Sequence, residues 1–121
     1  MKYMVMIYIS EMENDSLSRE DLGSRMAAYG AYRQALVDAG AFVTGAPLEK
    51  STTATTLSIR DGQRQVQDGP YADTKEQFGG FFMIECADAN AALEWAARCP
   101  GAQHGIVEVR PVTPMPPQLA S

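Results

Sequence analysis

The chain is poor in the side chains that most often bind metals and move protons. Its 121 residues include one histidine, two cysteines and one tryptophan, and aromatics make up 8%. One histidine and scattered carboxylates do not make a metal-ligand set, so no metal centre is expected. No cofactor is indicated either. Cys86 and Cys99 form no C-x-x-C pair and show no ligand spacing. A single disulfide is compatible with them, but two reduced, partly buried thiols in a cytosolic protein is the simpler reading. Runs of lysine and arginine are also missing. The net charge is -5 and the pI about 4.7. Nucleic acid and anionic membrane, which need clustered cations, are therefore not expected as main partners. No apolar run is long enough to span a bilayer. The opening MKYMVMIYIS is too short for a signal-peptide core and lacks a small-residue cleavage site, which leads us to expect a cytoplasmic protein. There is no glycine-rich phosphate loop, nucleophile elbow or Ser-His-Asp order.

What remains is an ordinary globular composition, with 45% hydrophobic and 21% charged residues. The length predicts one domain over residues 1–121, with a proline-rich tail from about 111. Tyr3 to Ile9 reads as a strand. Tyr3, Val5, Ile7 and Ile9 point one way and Met4, Met6 and Tyr8 the other. Both faces are apolar, so both must be covered. After a polar connection from Glu11 to Leu17, Ser18 is placed to cap a helix that Gly40 ends. Its apolar stripe is read as Leu22, Met26, Tyr29, Leu36 and Val37. Phe42 to Leu48 is a short extended piece, and Thr53 to Arg60 a β-branched strand. Asp61-Gly62 signals a hairpin whose return strand is Arg64 to Gln67. Phe81 to Glu85 is again apolar on both faces. Asp88 caps a second helix with Ala89, Ala92, Leu93 and Ala96 on one stripe, stopped by Pro100-Gly101. Ile106 to Arg110 is the last strand.

This order predicts an α+β fold, a ferredoxin-like antiparallel sheet with two helices on one face. The second face of the sheet then needs a cover. In so short a chain the economical cover is a second copy, so a homodimer packed sheet to sheet is expected.

Chemistry-bearing side chains concentrate in Asp68 to Glu85, DGPYADTKEQFGGFFMIE. A tight turn opens it, and Tyr71, Asp73, Thr74, Lys75 and Glu76 follow at once. The Gly79-Gly80 pair then leads into the buried strand. A polar loop held on a rigid scaffold is a common place for function.

This stretch resembles the signature of YCII-related proteins, in the branch called DGPF-domain proteins, which reads D-G-P-[FY]-x-[ED]-T-K-E-x-x-G-G-[FY]. The Gly40-Ala41 helix end, the Gly45 to Leu48 piece and Val107-Glu108-Val109-Arg110-Pro111 are similar as well. The resemblance implies a dimeric α+β barrel. It also implies chemistry on small aromatic substrates, which some relatives carry out with a His-Asp pair. For the DGPF branch it implies a regulatory link to extracytoplasmic-function sigma factors. The first helix here has no histidine, so the His-Asp chemistry does not carry over.

Each candidate residue has two readings. Asp73, Lys75 and Glu76 are the candidate catalytic cluster, if partial burial tunes their pKa values; otherwise they are solvated charges with weak ion pairs. Asp68 and Tyr71 are candidate ligand contacts, or Asp68 is an Asx-type turn residue. Glu108 and Arg110 share a strand face and either reach a polar ligand in the dimer cavity or form a structural ion pair. His104, in the Gly101 to Gly105 loop, is either a general acid–base or a surface histidine. Two functions follow: a small-molecule enzyme working by acid–base chemistry, or a non-catalytic ligand-binding or regulatory protein.

Overall fold

Strand β1, Lys2–Ile9, is central. In the computed structural model, which describes residues 1–116, it pairs antiparallel with β5 (Gln77–Glu85) on one side and β6 (Ile106–Pro111) on the other. β2 (Phe42–Pro47) pairs with the far edge of β5, which gives the sheet order β2-β5-β1-β6. Helix α2 (Arg19–Asp38) joins β1 to β2, and α3 (Ala89–Arg98) joins β5 to β6. This is the split β-α-β arrangement expected from the sequence. The hairpin of β3 (Thr55–Arg60) and β4 (Gln63–Asp68) forms a two-stranded sheet of its own. Asp61 and Gly62 turn it with φ of 52° and 75°, the left-handed pair of a tight hairpin turn. The part of the proline-rich tail beyond residue 116 lies outside the described residues. No helix among the described residues is long and apolar enough to cross a membrane.

The core lies on one face of the sheet. Tyr3, Val5 and Ile7 meet Ile84, Leu36 and Ala92 there, and Val5, Leu36 and Ile84 are wholly buried. Tyr32 donates a hydrogen bond to the Trp95 carbonyl at 2.8 Å, which ties α2 to α3. The opposite face carries Met4, Met6 and Tyr8, with Met83, Phe81 and Phe78 directly across from them on β5.

Helix ends follow local chemistry. The Ser18 hydroxyl accepts the Asp21 N–H at 3.0 Å, and the Asp88 carboxylate accepts that of Ala91 at 2.9 Å. At the far end of α2, Gly40 has φ +70°, and the Ala41 N–H reaches back to the Leu36 carbonyl at 2.9 Å. That is the six-to-one bond of a Schellman cap.

Four local expectations need correction. Glu11–Asp15 is not a plain connection but a short helix, α1, capped by Ser10. Gly101–His104 is likewise a helical turn, α4, and not a loop. The α2 stripe runs through Tyr29, Tyr32 and Leu36, while Met26 is 67% and Val37 47% exposed. Three- and four-residue steps from Leu36 lead to Tyr32 and Tyr29, whereas Val37 lies a further 100° round the helix. On α3, Leu93 is exposed and Trp95 packs against the core instead.

Candidate functional site

Two concave surfaces flank the sheet. The first, about 430 Å³, lies between α2 and the core face of the sheet. Its floor is Ile7, Ile9, Phe82 and the backbone of Gly45, Gly79 and Gly80. Glycine is needed where the strands come close. A Cβ on Gly45 would stand 2.8 Å from the Phe81 carbonyl oxygen, and one on Gly80 2.9 Å from that of Ala46. Gly79 is the extra residue of a bulge, since Ile7 pairs with Gly80 but Tyr8 with Phe78. Leu22, Met26 and Tyr29 of α2 form the roof, flanked by Arg25 and Arg33. Asn14 of α1 and His104 of α4 add polar groups to the lining.

Both arginines of this cavity are held by neighbouring side chains. The Arg25 guanidinium bridges to Glu13 Oε1 at 3.0 Å, and a second N–H points to Asn14 Oδ1 at 3.4 Å. The Arg33 guanidinium rests on the Phe42 ring, 4.8 Å from its centre. Burial, assisted by the Arg25 charge, holds His104 below its ordinary 6.5, with Glu13 opposing. Its imidazole is therefore neutral at neutral pH. Burial, assisted by Cys99 and opposed by Arg25, pushes the Tyr29 hydroxyl up to about 12, so it stays protonated.

The second surface, about 520 Å³, lies at the end of the sheet beside the hairpin. Tyr8, Phe78, Thr56, Pro70, Tyr71 and Thr74 contribute to it. The Tyr8 and Phe78 rings stand 5.4 Å apart. Tyr8 donates to Glu108 Oε1 at 3.2 Å. Its pKa is raised by burial and then by Glu108, with Arg110 opposing.

The structure separates the residues that the sequence grouped. Tyr71, 89% exposed, borders the second surface. Asp73 and Lys75 are exposed and Glu76 is partly buried, and none of the three lines either surface. Asp68 ends β4 opposite Thr55, and the turn after it is held by the Gly69 N–H on Ala54 and by Thr56 Oγ1 on Gly69. Glu108 and Arg110 lie on the face away from the helices, exposed, opposite Met6 and Met4. His104, weighed against a surface position, is instead partly buried in the wall of the first cavity.

Sequence reasoning missed the residue that organises the signature loop. The Gln77 amide accepts the Glu11 N–H at 2.9 Å and donates to the Thr74 carbonyl at 2.7 Å. The Glu11 carboxylate in turn accepts the N–H and hydroxyl of Ser51 at 2.7 and 2.6 Å. Thr74 also bonds the Glu76 carbonyl. Within the loop Thr74 thus bonds the loop's own backbone, and Gln77 braces it from the start of β5. Arg25 and Arg33 were missed as well. Each stands four residues from Tyr29, a spacing that puts all three on one side of α2.

Residues 1–116 match the family model described as YCII-related domain. An uncharacterized protein of Rhizobium meliloti (strain 1021) is 37% identical over 114 residues, covering 93% of this chain and 92% of that protein. Among solved structures, 5-chloro-2-hydroxyhydroquinone dehydrochlorinase (TftG) from Burkholderia phenoliruptrix AC1100, in complex with 2,5-dihydroxybenzoquinone, aligns with a TM-score of 0.53 at 17% identity. That alignment covers 93% of this chain and 94% of the other. At such identity the likeness is one of fold, an α+β arrangement built on an antiparallel sheet.

Proposed function

The chain belongs to the YCII-related family, and we propose that it binds a ring-sized organic molecule between α2 and the sheet and moves a proton on it through His104. The carrying observation is that His104, far in sequence from Tyr29 and Arg25, meets them at one apolar cavity. Its volume, about 430 Å³, falls within the usual range for small-molecule sites. A neutral imidazole accepts a proton from the bound molecule. The Tyr29 hydroxyl donates a hydrogen bond to the oxygen on which charge develops, and Arg25 supplies the counter-charge. Leu22 and Met26 reduce the access of water. A protein of this fold is a dehydrochlorinase held with a small quinone, which agrees with a compact, ring-sized substrate.

The same reading gives the sheet its cover. A second copy packs on the face carrying Met4, Met6, Phe81 and Met83 and makes the homodimer. The loop from Asp68 to Glu76 then shapes the end of that sheet. Asp73, Lys75 and Glu76 play no direct part in proton transfer. Two free thiols, Cys86 and Cys99, fit a reducing, cytoplasmic setting.

The test uses 2,5-dihydroxybenzoquinone as binding probe and chloride release from 5-chloro-2-hydroxyhydroquinone as reaction. The probe should shift the NMR signals of Tyr29 and His104. His104→Gln should lower turnover about 100-fold or more, the range for loss of a general base, with little change in probe affinity. Signals that shift only in the 68–76 loop, or a larger loss in Asp73→Asn than in His104→Gln, would overturn the reading. Binding without turnover would support the non-catalytic, regulatory function implied by the resemblance to sigma-factor-linked proteins.

A further inference from the structure

The polar lining of the first cavity is one-sided. Arg25, Arg33, Asn14, Tyr29 and His104 meet it, and no aspartate or glutamate is among the described residues that line it. This holds in a chain whose net charge is -5. Acidic side chains outnumber basic ones overall, yet two arginines stand at this apolar cavity under α2. A low-dielectric wall strengthens the field of such charges toward a ligand.

Arg25 is built to receive an anion. Its side chain is 21% exposed, while that of Glu13, its counter-ion, is 52% exposed and belongs to a five-residue helix. Glu13 and Asn14 engage one N–H on each terminal nitrogen of the guanidinium. A guanidinium has five N–H donors in a planar fork, so donors remain for a second oxyanion. Arg33 is steadied by the Phe42 ring, whose face offers no hydrogen-bond acceptor to its N–H groups. The floor and roof beyond these groups are apolar, with Ile7, Ile9, Leu22, Met26 and Phe82.

Resting on the cavity assignment above, we infer that the ligand is a small organic anion, an apolar body bearing one carboxylate or enolate-type oxyanion. Arg25 receives the oxyanion and Glu13 competes for it. Glu13 is thus an internal stand-in for the ligand's charge and sets how tightly anions bind.

Benzoate and benzamide, nearly equal in shape and unequal in charge, are the probes, titrated calorimetrically into the full chain at pH 7.5. Benzoate should bind at least ten-fold more tightly than benzamide. Arg25→Gln should abolish that preference. Glu13→Gln should act in the opposite direction, tightening benzoate about three-fold and leaving benzamide unchanged. A residue that served only to hold α1 against α2 would weaken both probes in both variants, so that pattern overturns the inference. If Arg25→Gln fails to fold, the Glu13→Gln arm decides alone. Equal binding of the two probes, with both excluded by a cavity-filling Met26→Trp, would refute the anion preference and leave the cavity assignment standing. No binding of either probe at millimolar concentration would refute the cavity assignment itself.

Discussion

Replacing Gln77 by alanine tests whether the signature loop is held together by its own hydrogen bonds. The amide makes two good bonds, at 2.9 Å from the Glu11 N–H and at 2.7 Å to the Thr74 carbonyl. A typical intramolecular hydrogen bond contributes about 0.5–1.5 kcal/mol net. Gln77 is partly buried, so water replaces some of what is lost. Truncation also leaves the Glu11 N–H, at the first turn of α1, short of its acceptor. A cost of about 2 kcal/mol follows. For 121 residues the unfolding entropy is about 0.25 kcal/mol/K, so the melting temperature should fall by roughly 8 °C. Differential scanning calorimetry reads this directly. The controls are Asp73→Asn and Lys75→Met, two exposed side chains, which should each stay within about 0.5 kcal/mol of the parent. A Gln77→Ala protein melting within a degree of the parent would refute the reasoning. So would controls that cost as much as Gln77→Ala, because the loop charges would then carry the stability assigned to the amide.

Two further outcomes follow from the placement of single side chains. Because burial and Arg25 depress His104 in the folded chain, the unfolded chain takes up the proton first as pH falls. The stability His104 contributes is complete above pH 6.5 and is lost as pH drops from there through the folded value, with Glu13 moderating the loss. The parent should therefore lose melting temperature relative to His104→Gln as pH falls below 6.5, and a difference that stays flat or moves in the parent's favour would contradict the assignment. On the open face of the sheet, Met6→Asp should convert the proposed dimer to monomer in light scattering at micromolar concentration. A parent that is already monomeric would remove the second copy from the reading.

The fold was legible because its signals are local. Two-sided apolar alternation marked β1 and β5. Ser18, Asp88, Gly40 and Asp61-Gly62 each marked a boundary through chemistry within a few residues. The short helix α4 was missed because Pro100 does two things at once. It follows the end of α3, and its carbonyl also accepts the Gln103 N–H at 3.1 Å, opening the next helical turn. Reading it only as a stop left His104 in an imagined loop. The site was harder for the same reason at larger scale. His104 lies about eighty residues from Arg25 along the chain, and only the packing of α4 and α2 over the sheet brings both to one cavity. No periodicity within a window of one helix contains that contact.

The density of ionisable groups in the 68–76 loop drew attention away from α2. The loop's backbone is instead held by Thr74 and Gln77, neither of them ionisable. The more informative pattern was on α2. Tyr29 begins the buried stripe that continues through Tyr32 and Leu36, while Leu22 and Met26 extend the same face beyond the core. An apolar stripe that outruns its core must cover a space. Arginines four residues on either side of Tyr29 place two cations at the edges of that space. An apolar stripe longer than the sheet can fill, bordered by cations in an acidic chain, is the sequence pattern on which the anion-binding proposal rests.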